Sequence, residues 1–414
     1  QRAWDCFAVC GGEVMSVPKL RFKEFDENWT LNKIGDIASK VGSGSTPRGG
    51  AEAYTGEGII FIRSQNVNND RLLLNDVAYI PDEIHNKMSG SKVIANDILL
   101  NITGASIGRS CVVPSEFNEG NVNQHVCIIR TPNDDPLFIQ SFLSSDNGQN
   151  AIESKQVGSG REGLNFQAIR SIDLFLPQKK EQTKIATFLS AVDEKIIQLT
   201  QKHELVSQYK QGMMQKLFSQ QIRFKADDGS EFGEWEEKNL GEIIKFYNGK
   251  GHENNVDSNG EFLLINSKFI STDTRVFKKV TACNQKVFND CLVMVMSDVP
   301  NGKAIAKVLH IADGSKYALN QRIGMFVFSK LNYPKFFQYQ LNRHKYYLAF
   351  DSGVGQTNLK KEEVLSCPLL VPCLEEQTKI ANFLSVIDQK IEVAAQQIEQ
   401  AKQWKKGLLQ QMFV

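Results

Sequence analysis

The stretch of residues 301–347 has a composition suited to contact with a polyanion. Eight lysines and arginines stand there against a single acid, Asp313, and phenylalanines and tyrosines lie between them. Cationic side chains neutralise phosphates, and those left over can reach the edges of bases. The basic residues are Lys303, Lys307, Lys316, Arg322, Lys330, Lys335, Arg343 and Lys345. The pattern favours a nucleic-acid surface, although a solvated basic face above an aromatic core has the same composition.

Signatures of catalysis are missing from the sequence. There is no N-P-P-Y or D-P-P-Y tetrapeptide of DNA methyltransferases, no glycine-rich dinucleotide fingerprint and no helicase Walker sequence. The loop of residues 42–50, GSGSTPRGG, is rich in glycine but lacks the residue order of a phosphate-binding loop. We therefore expect a chain that binds its target and does not transform it.

The eight cysteines are scattered, and none forms a C-x-x-C pair. Neither a zinc site nor a disulfide framework is expected from such spacing. Reduced thiols and the lack of any run of about 18 apolar residues favour a cytoplasmic protein that does not enter a membrane. Residues 1–14, ahead of Met15, are interpreted as a non-native or tag-like extension.

The 414 residues suggest two or three domains, and an internal repeat shows how they are arranged. Residues 181–196 read EQTKIATFLSAVDEKI and residues 376–391 read EQTKIANFLSVIDQKI, which are identical at 12 of 16 positions. The same offset of 195 residues relates YKQGMMQKLF at 209–218 to WKKGLLQQMF at 404–413. The chain thus contains two copies of one unit, and residues 44–155 hardly align with 250–350.

The well-matched segments follow Pro177 and Pro372 and carry apolar residues at alternating steps of three and four. Such a heptad pattern over about five heptads is typical of a coiled coil, and the nearest partner for each helix is its own duplicate. We expect two long helices that pair antiparallel. The alternative is a helical hairpin folded into each globular domain.

The divergent segments predict short strands between glycine-rich and polar loops, and therefore a mixed α/β (α+β) fold. The predicted strands lie within residues 58–64, 97–104, 125–130, 261–267, 291–297 and 323–328. The net charge of +1 argues against a strongly basic protein that grips nucleic acid alone.

The repeated segments read LP…EQTKIATFL and VP…EEQTKIANFL, and the chain also contains the turn GSGREGLN and the pair NITGASIGR and NQHVCIIR. In these motifs the chain resembles the specificity subunit of type I restriction–modification systems. In the second copy SDVPNGKA and NQRIGMFVF are looser versions of that pair. The resemblance implies two target-recognition domains with pseudo-twofold symmetry, separated by an antiparallel coiled coil. The expected boundaries are 15–177 for domain 1, 178–220 for the first spacer helix, 221–372 for domain 2 and 373–414 for the second spacer helix.

The resemblance also implies a function and partners. Each recognition domain would read one half of an interrupted site in double-stranded DNA. Family members assemble with two methyltransferase subunits, which hold S-adenosylmethionine, and optionally with two restriction subunits. The two like helices would then offer two equivalent docking sites and set the distance between the half-sites.

Individual residues follow from the types that read DNA, since arginine, lysine, asparagine and glutamine on loops make most base contacts. The predicted DNA-binding residues are Ser43, Ser45, Thr46, Arg48, Arg63, Gln65, Asn66 and Arg109 in domain 1, and Lys250, His252, Asn266, Lys268, Asn301, Lys303 and Arg322 in domain 2. Gly104 and Gly108 are predicted to be turn residues. The pairs Glu181–Gln182 and Glu376–Gln377 are expected either to bind the methyltransferase or to secure the start of each helix.

Two other functions fit parts of the pattern. A coiled-coil adaptor with two protein-binding domains would need no DNA contact. A fragment of a fused restriction–methylation enzyme would need the catalytic motifs that the sequence lacks.

Overall fold

The computed structural model describes residues 8–10, 13–156 and 163–414, and the chain divides into two compact units. Unit 1 comprises residues 1–201 and 394–414, and unit 2 comprises residues 202–393. The boundaries of the units differ from those of the sequence repeats. Each of the two long helices is divided between the units, with one half in unit 1 and the other half in unit 2. Part of the glycine-rich turn GSGREGLN, residues 158–162, lies outside the described residues.

Unit 1 is a mixed α/β structure built mostly from short strands. Its strands are β1 (Ala8–Cys10), β2 (Glu13–Ser16), β3 (Trp29–Lys33), β4 (Lys40–Ser43), β5 (Ile59–Ile62), β6 (Val67–Asn68), β7 (Arg71–Leu72), β8 (Ala78–Ile80), β9 (Lys92–Val93), β10 (Ile98–Asn101), β11 (Ser110–Val112), β12 (Gly120–Val122), β13 (Val126–Arg130) and β14 (Asp173–Leu176). The helices are α1 (Ile34–Ile37), α2 (Asp82–Lys87), α3 (Pro136–Ser144), α4 (Asp146–Ser154), α5 (Phe166–Arg170) and the first half of α6 (Lys179–Phe218).

Unit 2 repeats this construction with fewer strands. They are β15 (Glu236–Asn239), β16 (Ile244–Asn248), β17 (Phe262–Ile265), β18 (Lys279–Val280), β19 (Cys291–Val295), β20 (Ser297–Asp298), β21 (Val308–Ile311), β22 (Tyr317–Leu319), β23 (Ile323–Phe328), β24 (Thr357–Asn358) and β25 (Pro368–Val371). The helices are α7 (Leu240–Ile243), α8 (Ser267–Ser271), α9 (Pro334–Leu341), α10 (Lys345–Leu348), α11 (Lys361–Leu365) and the first half of α12 (Leu374–Met412). The second half of α6 also belongs to unit 2, and the second half of α12 belongs to unit 1.

The two units share sheet topology even where their sequences hardly align. The order β11-β10-β13-β4 in unit 1 has its counterpart in β21-β19-β23-β16 in unit 2. Likewise β8-β5-β12 matches β18-β17-β22, and in both the last two strands pair in parallel. The mixed α/β prediction is confirmed, and each of the six predicted segments contains a strand. Apolar runs such as β10 and β19 form strands that are buried along their whole length.

The long helices α6 and α12 are each continuous, with 40 and 39 residues, so the hairpin alternative is wrong. In unit 1 the start of α6, with Ile185 and Leu189, packs in the same core as Met412 and Phe413 at the chain's end. In unit 2 Leu217, near the end of α6, packs in one core with residues of the first half of α12. Each unit thus pairs the beginning of one helix with the end of the other, as the antiparallel prediction requires.

Equivalent ion pairs fix this antiparallel register. In unit 1 Lys405 Nζ lies 2.7 Å from Asp193 Oδ1, and in unit 2 Lys210 Nζ lies 2.5 Å from Asp388 Oδ1. The two lysines are 195 residues apart, as are the two aspartates, so each copy supplies the lysine for the other copy's aspartate. A charged group on an otherwise apolar seam specifies register because other alignments leave it buried without a partner.

A turn of domain 1 is also joined to α12. Asn69 and Asp70 form the two-residue connection between β6 and β7, with φ of 52° and 58°, as in a type I′ hairpin. The Asp70 carboxylate accepts hydrogen bonds from Lys405 Nζ at 2.9 Å and from Ser144 Oγ at 2.7 Å. This contact ties the hairpin to the helix pair within unit 1.

Within the described residues no helix has the length and apolar character to cross a membrane, and no group of three or more His, Cys, Asp or Glu side chains is arranged to hold a metal.

Candidate nucleic-acid interface

The polar residues that follow parallel strands come together at one edge in each domain. In domain 1, Ile62 of β5 pairs with Val122 of β12, so Arg63 and the tripeptide Asn123-Gln124-His125 leave the sheet side by side. The Asn123 amide donates to Ile62 O at 3.0 Å and fixes the turn. Carboxyl ends of parallel strands are where open α/β sheets commonly bind ligands.

Domain 2 builds the same edge from different residues. Ile265 of β17 pairs with Leu319 of β22, which places Asn266 beside the tripeptide Asn320-Gln321-Arg322. The Asn320 amide donates to Ile265 O at 3.1 Å, as Asn123 does to Ile62 in domain 1. The two tripeptides are therefore structural equivalents.

A third segment completes each edge. After β10 the Ile102 amide donates to His125 O, and after β19 the Met296 amide donates to Arg322 O, each at 3.0 Å. The next residues are Thr103 and Ser297. We call the resulting sets the strand-end clusters: Arg63, Thr103, Gln124 and His125 in domain 1, and Asn266, Ser297, Gln321 and Arg322 in domain 2.

A chain of hydrogen bonds holds the domain 1 cluster. The Thr46 hydroxyl donates to Gln124 Oε1, which leaves the Gln124 amide NH₂ to donate to His125 Nε2 at 3.1 Å. His125 Nδ1 then carries the proton and donates to Thr103 Oγ1 at 2.6 Å. Gln124 remains exposed, so this chain presents an oriented polar edge to solvent.

The domain 2 cluster lines a cavity of about 390 Å³. Its wall contains Asn266, Ser267, Ser297, Asp298, Val299, Asn320, Gln321, Arg322, Ile323 and Gln356. The amide of Gln356 donates to Ser297 Oγ at 2.9 Å, and the Ser297 hydroxyl donates to Asn358 Oδ1 at 2.7 Å. The cavity is open, polar and stiffened by its own hydrogen bonds.

Most of the predicted DNA-binding side chains reach the surface. Exposed are Ser45, Thr46, Arg48, Gln65, Arg109, Lys250, Lys268, Asn301, Lys303 and Arg322, and half-buried are Ser43, Arg63 and Asn266. The loop after β4 reaches the tripeptide of domain 1, since Gly44 donates to Asn123 O, and the loop after β16 reaches the residue before the tripeptide of domain 2, since Lys250 donates to Leu319 O. Gly104 and Gly108 have φ of 69° and 85°, which confirms them as turn residues. DNA contact by any of these side chains stays a prediction.

Two of the predicted residues have structural positions instead. Asn66 is buried; its amide group donates to Leu73 O and Asp76 O and accepts from the Arg63 amide. His252 is fully buried, with Nδ1 donating to Lys250 O at 2.7 Å and Nε2 accepting from Asn284 N at 2.9 Å. Because each side chain satisfies the backbone of a loop, it is not available to DNA.

The basic stretch 301–347 is not one binding face. Phe336, Phe337 and Tyr347 are wholly buried, which agrees with the aromatic-core alternative. Lys307 donates to Ser271 O, and the Arg343 guanidinium donates to Gly302 O and Ile305 O. Of the eight basic residues only Arg322 lines the cavity of domain 2.

The side chains proposed for partner binding lie inside their units. Glu181, Gln182, Glu376 and Gln377 are each at most 2% exposed. Glu376 accepts from Arg223 Nη2 at 2.7 Å and from Trp235 Nε1 at 3.0 Å. Glu181 accepts from Arg21 in the same manner, and both glutamines bond backbone next to the helix start. This burial favours the alternative in which these residues secure the first turn of each helix.

Gln124 and His125 were missed by the residue-level prediction. The sequence signal was present, because NQH and NQR occur in the two matched motifs. Only the pairing of β5 with β12 shows that these residues stand beside Arg63.

The buried cysteines do not add a nucleophile to either domain. Burial raises the pKa of Cys127 and of Cys291 to about 12, so both thiols remain protonated near neutral pH.

Comparison with known proteins places these features in a family. The fold of this chain is that of solved specificity subunits. The crystal structure of the type I restriction–modification S subunit from M. genitalium superposes with a TM-score of 0.61 at 17% identity, covering 96% of this chain and 99% of that one. A second structure, from a study of complex assembly and conformational transition of the type I system, gives a TM-score of 0.56 at 13% identity over 92% and 96% of the two chains.

Sequence comparison identifies the family itself. The family model described as "Type I restriction modification DNA specificity domain" matches residues 26–206 and 233–403, and the chain belongs to this family with two copies of the domain. It is 26% identical to the type I restriction enzyme MjaVIII specificity subunit of Methanocaldococcus jannaschii over 78% of this chain and 80% of that protein. A putative MjaX specificity subunit of the same organism is 23% identical over 94% of both chains.

Proposed function

We propose that this chain is a DNA-recognition subunit in which each domain reads one half of a bipartite site. The observation that carries the proposal is the pair of strand-end clusters. Both rest on the same strand order and the same backbone hydrogen bonds, yet Arg63 and His125 in domain 1 are replaced by Asn266 and Arg322 in domain 2. A common scaffold with different polar side chains is what two readers of different bases require.

We further propose that the matched helices dock two copies of one methyltransferase subunit. Trp404 and Tyr209 occupy equivalent positions of the repeat, and each is 54% exposed. Trp404 lies beside the half-buried Phe188, whose equivalent Phe383 is also half-buried. Exposed aromatic residues are typical interface anchors, and a repeated surface suits a repeated partner. S-adenosylmethionine would belong to that partner, restriction subunits would join the same complex, and the assembly would act in the cytoplasm.

Sequence-dependent binding tests the DNA proposal. The chain is assembled with its methyltransferase and titrated against duplexes that carry or lack the site found by methylome sequencing. We expect a preference that weakens with salt, since phosphate contacts release counterions. Equal affinity for all duplexes at every salt concentration would support the protein-binding adaptor instead.

Docking is tested by counting subunits. Native mass spectrometry of the Trp404→Ala and Tyr209→Ala variants should each show loss of one methyltransferase, and the double variant should lose both. Leu331→Ala, which alters another exposed apolar residue, is the matched control. Unchanged stoichiometry in the double variant would refute this surface.

The spacer proposal predicts a change of gap length. Seven residues inserted after Leu199 and seven after its equivalent Ala394 lengthen a helix pair by roughly 10 Å, or about three base pairs. Methylome sequencing should then show the same half-sites with a longer gap. Altered half-site bases with an unchanged gap would contradict the proposal.

A further inference from the structure

Arg322 is the residue of domain 2 best placed to bind an external group. Its side chain is exposed at the wall of the 390 Å³ cavity. Among the residues that the structure describes, no acceptor, carboxylate or ring engages its guanidinium; only the Arg322 backbone is used, accepting from the Met296 amide. Five N–H donors are thus presented to solvent in a fixed planar fork.

The cavity contains no carboxylate that pairs with this guanidinium in the part of the chain that the structure describes. Its one carboxylate, Asp298, accepts from the backbone amides of Val299, Ala304 and Ile305 at 2.7–3.0 Å. Those bonds direct Asp298 to its own loop, and the remaining polar side chains of the wall are neutral. A ligand that fits here must therefore supply acceptors.

The equivalent position in domain 1 has the opposite character. The His125 carbonyl accepts a backbone hydrogen bond equivalent to the one that the Arg322 carbonyl accepts. Both ring nitrogens of His125, however, are hydrogen-bonded within the cluster, to Gln124 and to Thr103. The neighbouring glutamines Gln124 and Gln321 are the same residue type in both domains. The two clusters therefore differ most at the position of His125 and Arg322, in the hydrogen-bond donors that they present to a ligand.

The backbone at this position is unusual for arginine. Arg322 has φ of 65°, a left-handed conformation that favours glycine and asparagine. Such a conformation is retained where the surrounding structure over-determines it, commonly at binding sites. Here the Met296 amide and the start of β23 hold the residue from both sides.

We propose that Arg322 reads a guanine in the half-site of domain 2, with its guanidinium donating to O6 and N7. Guanine offers two adjacent acceptors in the major groove, which the arginine fork matches in bidentate fashion. The inference rests on the proposed function and adds to it a residue and a base. A phosphate also presents paired acceptors, so the test must separate the two sources.

The experiment uses the full chain in complex with its methyltransferase and a duplex panel in which each base pair of the site is replaced in turn. Arg322→Ala and Arg322→Gly should weaken binding to the intact site by about 5- to 150-fold, the range expected for one bidentate contact. Both variants should become indifferent to replacement of one guanine and keep their preference elsewhere. The glycine variant tolerates the left-handed backbone and guards against a folding defect.

Lys303→Ala serves as the contrast, since Lys303 is exposed in the same domain and its charge suits a phosphate. This substitution should weaken binding to all duplexes alike and should reduce the slope of log K against log salt concentration by about one. If the Arg322 variants behave in that way, or bind as the parent chain does, the guanine assignment is wrong while the proposed function stands. If the parent complex itself does not discriminate between duplexes, the proposed function fails as well.

Discussion

Replacing Lys405 by methionine should destabilise unit 1 selectively. The Lys405 side chain is 14% exposed, and its ammonium contacts Asp70 at 2.9 Å and Asp193 at 2.7 Å. Exposed ion pairs contribute about 0.2–1 kcal/mol, whereas removing one partner of a buried pair costs about 3–5 kcal/mol. The two aspartates keep 32% and 40% of their side-chain surface, so the variant should lie between these limits, at roughly 2 kcal/mol.

Hydrogen exchange read by mass spectrometry is the suitable assay, because it separates unit 1 from unit 2. Lys405→Met should speed amide hydrogen exchange in α3 and in the β6–β7 hairpin, and it should leave the exchange rates of unit 2 unchanged. Lys210→Met is the matched control, since Lys210 pairs with one carboxylate, Asp388, and should weaken only unit 2. Equal effects of the two variants on both units, or none in either, would refute the idea that these lysines fix register locally.

Three further outcomes are expected. Phe413→Ala should cost unit 1 about 3 kcal/mol in denaturant unfolding, because the ring is 3% exposed and packs in the core, whereas Tyr209→Ala on the helix surface should be nearly neutral. Glu376→Gln should lower the stability of unit 2 by about 2 kcal/mol, since it removes the charge from a fully buried acceptor of a guanidinium and an indole, and a melt monitored by tryptophan fluorescence would detect it. His252→Ala should weaken DNA binding only in proportion to the loss of folded domain 2, which paired binding and unfolding curves would show; a binding defect in fully folded protein would contradict its structural role.

The ion-pair contribution should also depend on pH. Burial lowers the pKa of Lys405, but the carboxylates of Asp70 and Asp193 outweigh it and the net pKa is raised. A raised lysine pKa contributes stability that is fully present below the unfolded value of about 10.4 and is lost as pH rises through the folded value. The difference in melting temperature between the parent chain and Lys405→Met should therefore be constant near neutral pH and narrow in alkali; a difference that grows there would contradict the assignment.

The helices and strands were predictable because their signals are local. Heptad spacing gave α6 and α12, and short apolar β-branched runs gave strands such as β10 and β19. The parallel pairing of β5 with β12 has no local signal, since the register joins residues some 60 positions apart.

Residue type alone could not separate binding from structural polar groups. Asn66 and Arg48 looked equally suitable for DNA, yet Asn66 is buried among backbone carbonyls and Arg48 is exposed. The sequence likewise left open whether Glu376 binds a partner or secures the start of its helix, because Arg223, to which it is bonded, lies 153 residues away. Long-range pairing decides such cases, and a single sequence does not reveal it.

The packing of the end of α12 in the core of unit 1 has a consequence for biosynthesis. The core of unit 1 includes Leu408, Met412 and Phe413, which are translated after the whole of unit 2. Domain 1 emerges from the ribosome before domain 2, but the apolar surface that these three residues cover stays exposed until the end of α12 has been made. A chain cut short before Leu408 would thus leave the core of unit 1 incomplete and expose domain 1 to proteolysis, even though the sequence of domain 1 itself had been made.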